Sequence, residues 1–294
     1  MIGRLIKALL AVALIGAAAG WLVTRPGTVD PARFASLSGD AAAGEDVFWA
    51  AGCASCHVPL GAEDRTLLSG GYEIKSDFGT FVAPNISPDP DAGIGRWSLE
   101  DFANAVLMGT SPDGTHYYPS FPYASYTRMT DQDVTDLWAF LRTLPESDTP
   151  SAPHRLSFPF NIRMSVGGWK FLYMDNAWTQ PADTAELERG RYLVEALGHC
   201  AECHTPRDAL GGLDRTRWMA GAPNPSGKGR IPGLSPAQLR WTAEDIVYYL
   251  ETGFTPDFDT AGGGMASVVL NQQKLPAADR AAIAAYITAL PPAE

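Results

Sequence analysis

Basic residues are scarce: the 294-residue chain has 22 Lys and Arg against 33 Asp and Glu, for a formal charge of −11. That balance argues against a nucleic-acid partner, which needs clustered Lys and Arg to neutralise phosphates. Also missing are a Gly-rich dinucleotide fingerprint, a phosphate loop and a hydrolase nucleophile elbow. Disorder is excluded as well, because 46% of the residues are hydrophobic and only 19% charged. The acidic excess reads mainly as a solvated surface, with docking to a basic patch on a partner protein as its functional alternative. Cysteine is nearly absent, and the four residues present fall in two pairs.

Those pairs are Cys53-Ala54-Ser55-Cys56-His57 and Cys200-Ala201-Glu202-Cys203-His204. Cys-x-x-Cys-His is the attachment signature of c-type haem. Two thiols three positions apart on one helical turn reach the two vinyl groups of one porphyrin, and the next residue turns its imidazole to the iron. Cys53, Cys56, Cys200 and Cys203 are therefore the expected thioether residues, and His57 and His204 the proximal ligands of two covalently bound haem c groups. Two disulfides or a four-ligand zinc site compete poorly. Neither explains the repeated His, and the wide separation of the pairs is unlike a zinc ribbon.

One apolar stretch stands at the N-terminus, Ala8 to Val23, behind Arg4 and Lys7. It reads as an export signal. Small residues at Ala17-Ala18-Ala19 are followed by Trp21-Leu22-Val23, without a clean cleavage site, so the segment is expected to stay as an anchor with its basic end in the cytoplasm. The expected location is the inner membrane, with the haem-bearing part in the periplasm, where c-type haem is attached.

The rest of the chain reads as an internal repeat. Gly44 and Gly190 precede the two motifs on expected helices, where a missing side chain permits close helix packing. Trp97-Ser98-Leu99-Glu100-Asp101 and Trp241-Thr242-Ala243-Glu244-Asp245 carry capping boxes that open a later helix. Helices over Asp133–Leu144 and Ala277–Leu290 close the halves, each before a proline. The expected division is 1–24 anchor, 25–40 tether, 41–145 and 183–294 haem domains, and 146–182 an irregular, proline-rich connection whose aromatics pack across both halves. The fold class is mainly α: a few helices wrapped around each flat apolar cofactor, joined by long loops.

Ala83-Pro84-Asn85-Ile86-Ser87-Pro88-Asp89-Pro90, Ser111-Pro112-Asp113-Gly114-Thr115-His116-Tyr117-Tyr118-Pro119 and Phe158-Pro159-Phe160-Asn161 are more specific than the haem motif. Through them the chain resembles the membrane-bound c-type cytochromes that serve as cytochrome subunits of bacterial alcohol and sugar dehydrogenases. The resemblance implies two tandem cytochrome c domains after a transmembrane or signal helix. It also implies a two-haem relative of three-haem members.

The sixth iron ligands divide the halves. Met265, in the Gly262-Gly263-Gly264-Met265 loop, is the expected axial thioether of the second haem, raising its potential. In the first half the resemblance places the ligand at Phe121, and phenylalanine cannot bind iron. Met129 is then the expected ligand, with His116 or an open face as alternatives and a hydrophobic staple as the packing role of Met129. His154 and His199 read as surface or packing residues rather than ligands. Tyr72, Arg96, Arg207, Arg215 and Arg230 are candidate partners for haem propionates, with no choice among them in the sequence.

The functional expectation is electron transfer from a dehydrogenase or quinol-oxidising complex to another cytochrome or a terminal oxidase, the chain being sooner a carrier or a dehydrogenase's cytochrome subunit than a catalyst by itself. The competing class is a dihaem enzyme of peroxidase or thiosulfate-oxidising type, with a replaceable ligand at the first haem.

Overall fold

A computed structural model describes residues 1–225 and 229–292. The N-terminal helix α1 (Ile2–Thr24) buries none of its residues. Only its end touches the body, where the Thr24 carbonyl lies so close to Gly167 that a Cβ at that glycine would overlap it. The first half then holds α2 (Ala41–Ala50), α3 (Cys53–His57), a hairpin of β1 (Glu73–Ser76) and β2 (Gly79–Val82), α4 (Leu99–Met108), α5 (Tyr123–Tyr126) and α6 (Asp131–Leu141). Between the halves come β3 (Arg155–Leu156) and α7 (Ser165–Tyr173). The second half has α8 (Ala185–Arg191) running into a π-helical turn, then α9 (Ala201–His204), β4 (Ala222–Pro223) and β5 (Arg230–Ile231). The short α10 (Pro236–Leu239) follows, and α11 (Ala243–Thr252), α12 (Gly264–Gln272) and α13 (Ala277–Thr288) complete the half.

Each half rests on one tight helix crossing. α2 meets α6 where Gly44 lies under the Asp136 carbonyl, and α8 meets α13 where Gly190 lies under the Ala282 carbonyl; a Cβ at either glycine would overlap that oxygen. The capping boxes form as the sequence suggests. Ser98 and Asp101 cap α4, and Thr242 and Asp245 cap α11, with both reciprocal bonds made in each case. Thr130 caps α6 through the Asp133 N–H, but α6 begins at Asp131 and gives way to a turn after Leu141, earlier than Leu144. Phe48 packs on Phe140 (centroids 5.2 Å) and Phe102 stacks on Trp138 (5.0 Å). This core is continuous with that of the second half, through Leu193, Leu197 and Tyr286.

The connection is more ordered than its prolines suggest. Instead of an irregular strap, it supplies β3, which adds to the β1–β2 sheet by pairing Thr80 with Arg155, and the helix α7. Gly167-Gly168 hides that helix from a propensity reading, yet Gly167 is what lets α7 approach Thr24. The connection also ties to both halves. Asn85 Nδ2 donates to the Ser147 and Thr149 carbonyls (2.8 and 2.9 Å), Arg128 donates to the Asp175 and Ala177 carbonyls, and Tyr173 donates to Asp208 (2.7 Å). Glu195, buried in the second half, accepts from the Thr179 N–H (2.8 Å) and from the Tyr286 hydroxyl.

Candidate haem sites

The two Cys-x-x-Cys-His runs fold alike. Cys53 to His57 form the single turn α3, and Cys203-His204 end the turn α9. His57 Nδ1 donates to the Pro84 carbonyl at 2.8 Å, and His204 Nδ1 donates to the Pro232 carbonyl at 2.7 Å. With the proton fixed on Nδ1, the lone pair of each ring sits on Nε2, the atom a metal would take. Burial pushes both imidazoles toward the neutral form that ligation requires. The loops that bring the prolines round are matched as well: Gly70 and Gly221 each donate a backbone N–H to the carbonyl of their own His at 2.7 Å. The Pro84 and Pro232 carbonyls were not foreseen as partners. Their signal was the shared Pro-x-x-Ser of Pro84–Ser87 and Pro232–Ser235.

All four cysteines are unpaired, and among the described residues no three His, Cys, Asp or Glu side chains come together as a metal site would need. Desolvation pushes the Cys53 and Cys200 thiols up to about 12 and Cys56 to about 11. Thiolate ligands to zinc would be opposed there, whereas thioethers carry no charge to desolvate. A cavity of about 250 Å³ beside Glu202 is lined by Trp169 and Trp218, whose indole N–H groups are buried without a partner. They would be satisfied by the acidic edge of a porphyrin. The side chains therefore fit covalent haem. Three of the candidate propionate partners already face carboxylates: Arg96 pairs with Asp91, Arg207 with Glu202 and Arg215 with Asp175.

The cytochrome c family profile matches residues 41–145 and 187–291. The chain belongs to the cytochrome c family. A dihaem cytochrome c of Cereibacter sphaeroides is 57% identical over 294 residues, covering 99% of each chain. The fructose dehydrogenase cytochrome subunit of Gluconobacter japonicus is 38% identical over 82% of this chain. An alcohol dehydrogenase (quinone) cytochrome c subunit of Gluconobacter oxydans is 36% identical over 84% of it. This cytochrome spans about half of each dehydrogenase subunit, 51% and 54% respectively. It is thus a mainly helical protein of two tandem cytochrome c domains, carrying two covalently bound haem c groups and belonging to the electron-transfer proteins.

In this cytochrome the two attachment turns face one another. Asn271 Nδ2 donates to Ser55 Oγ at 2.8 Å, and Arg65 Nη2 donates to Asn271 Oδ1 at 2.9 Å and Ser267 Oγ at 3.1 Å. Ser125 Oγ donates to Glu202 at 3.3 Å. Cys203 is close enough to Cys56 to add to the rise of its thiol. His199 takes the left-handed backbone (φ 39°) that Gly52 takes before the first motif (φ 68°). Its ring packs edge-on against Tyr126 (5.5 Å), whose hydroxyl donates to the Ala51 carbonyl (2.6 Å). His199 is a packing residue, but one at the seam between the two sites, which its place in the sequence did not reveal.

Met265 lies in the first turn of α12, after Gly263 in left-handed backbone. Met129 is 4% exposed in the shared core, just ahead of the α6 cap. His116 is buried, and its Nε2 donates to the Thr24 carbonyl at 2.7 Å. His154 Nδ1 accepts from the Val82 N–H at 3.1 Å.

Proposed function

We propose that the chain is a membrane-tethered electron carrier of the periplasm. It takes electrons from a dehydrogenase or a quinol-oxidising complex and passes them singly to another cytochrome or a terminal oxidase. Residues 1–24 would anchor it and 25–40 tether it, with haem domains at 41–145 and 183–294 joined by 146–182. Cys53 and Cys56 would hold the first porphyrin with His57 beneath its iron, and Cys200 and Cys203 the second, with His204 and Met265 on its two faces. The haems would supply the redox change; the protein would supply their ligands, potentials and separation. The ties across the two attachment turns, Asn271 of the second half on Ser55 and Glu202 of the second turn on Ser125 of the first half, carry this reading. Electron tunnelling falls steeply with edge-to-edge distance, and such a seam would hold that distance constant.

The names of the relatives, cytochrome subunits of fructose, alcohol and gluconate dehydrogenases, support a dehydrogenase donor. The membrane reading rests on α1. At 23 residues with a mean hydropathy of 2.1 over its most apolar window, it would span about 35 Å, enough for a hydrocarbon core of about 30 Å. Reconstituted with a quinol-oxidising dehydrogenase in vesicles, both haems should reduce on substrate addition and reoxidise on mixing with a soluble ferric cytochrome c. In spheroplasts the protein should resist alkaline carbonate extraction and be cut by external protease. Haems that stay oxidised while the dehydrogenase turns over would refute the carrier role, and recovery in the soluble fraction would refute the tether.

A further inference from the structure

The second half is a template for the first, and the match can be followed bond by bond through the loop after α4 and α11. Each helix ends in a left-handed glycine, Gly109 (φ 58°) and Gly253 (φ 80°). Thr110 then bridges to His116, and Phe254 to Thr260. Ser111 donates to the Thr115 carbonyl as Thr255 does to that of Asp259. Tyr117 donates back to the Gly109 carbonyl (2.7 Å) as Ala261 does to that of Gly253 (2.8 Å). Every matched pair differs by 144 in number, from 253 − 109 to 261 − 117. Four residues past the last matched bond stand Phe121 and Met265. Only one of them has a lone pair to give to iron.

The other candidate donors of the first half sit in packed or hydrogen-bonded places. His116 commits Nε2 to Thr24 and keeps Nδ1 buried without a partner, and its carbonyl accepts from Arg163 (2.8 Å); Lys170 and Arg163 are its charged neighbours. This side of the ring faces α1 and α7. Met129 occupies the position ahead of the helix cap that Leu275 fills in the second half. Both are 4% exposed, and each donates its N–H three residues back, to Tyr126 and to Gln272. A place served equally by leucine is a packing place. Met108 turns its methyl toward Gly27, 3.0 Å from where a Cβ would stand. Around Phe121 the neighbours are rings: Tyr117 and Tyr126 at 5.9 Å and Tyr123 at 6.2 Å.

We propose that the first haem is five-coordinate and takes a small neutral diatomic molecule on the Phe121 face, while Met265 closes the second haem. The inference rests on the dihaem reading above. Binding forms one bond, from the ligand's lone pair to ferrous iron, and breaks none. Neutrality follows from the surroundings: the rings replace none of an anion's hydration, and Lys170, whose ammonium lies over Tyr123, is committed to the Met108 and Gly109 carbonyls.

The test is carbon monoxide titration of the full-length, dithionite-reduced holoprotein, with haem counted independently as its pyridine haemochrome. One equivalent per two haems is expected, with half of the ferric haem high-spin by magnetic circular dichroism. Phe121→Met should abolish uptake and add a second Met-to-iron charge-transfer band. Met129→Leu should change neither uptake nor spin state. Two low-spin haems that take up no carbon monoxide, a bis-His signature, or a low-spin haem turned high-spin by Met129→Leu would each overturn the proposal. A count other than two haems per chain would instead overturn the reading beneath it. If Phe121→Met does not fold, the wild-type stoichiometry and Met129→Leu still decide.

Discussion

Met265 and Lys170 are the side chains whose removal has the clearest expected consequence. A thioether favours ferrous iron, so Met265→Ala should lower the second haem's potential by roughly 0.2 V, a fraction of the about 0.8 V over which axial ligands act. Potentiometry of the two haems would show one potential moved and the other in place. Lys170 donates to the Met108 and Gly109 carbonyls (2.6 and 2.8 Å) with its ammonium over the Tyr123 ring. Burial pushes it down to about 7 from an ordinary 10.5. Between those values the unfolded chain holds a proton that the folded chain has released, so stability rises with pH across this window and the penalty is complete below it. The melting temperature of the wild type should therefore climb from pH 7 to pH 9 by more than that of Lys170→Met. Equal slopes would show that the two carbonyls and the ring keep Lys170 charged.

At the scale of elements, stability concentrates in the two helix crossings. Gly44→Ala would drive a methyl into the Asp136 carbonyl and Gly190→Ala one into that of Ala282. Each should cost about 1–3 kcal/mol by forcing the helices apart, lowering the melting temperature by roughly 2–4 °C per kcal/mol in a chain of this size. Alanine is the better helix former, so a rise in stability would show that the crossing can relax. The capping boxes were legible because each depends on neighbours in sequence, and these glycines because they recur at a matched place ahead of the two motifs. The helix α7 was not, because its Gly167 serves a contact with Thr24, 143 residues away.

For the whole molecule, the seam between the halves matters most. Asn271 holds Ser55 with one end of its amide and Arg65 with the other. Asn271→Ala should leave both haem spectra unchanged but slow electron equilibration between them, as read by pulse radiolysis. An unchanged rate would assign the spacing to the continuous apolar core alone. The connection shares this task, since Arg128 and Arg215 from opposite halves both bind the Asp175–Ala177 segment. No pairing of this kind could be read in advance, because partners as far apart as Ser55 and Asn271 have no common local pattern.

By itself the sequence determined what chemistry the chain can hold: two thiol pairs with an adjacent imidazole, one methionine in a glycine-rich loop, a phenylalanine where a second would stand, and an apolar N-terminal segment. Covalent attachment and helix capping act over a few residues, so their signals are local. Only the tertiary structure decided which carbonyls orient the two histidines, where Met129 and His116 spend their side chains, and that the two attachment turns face each other. Those outcomes depend on chain segments brought together by burial of one shared core, and burial is a property of the whole fold.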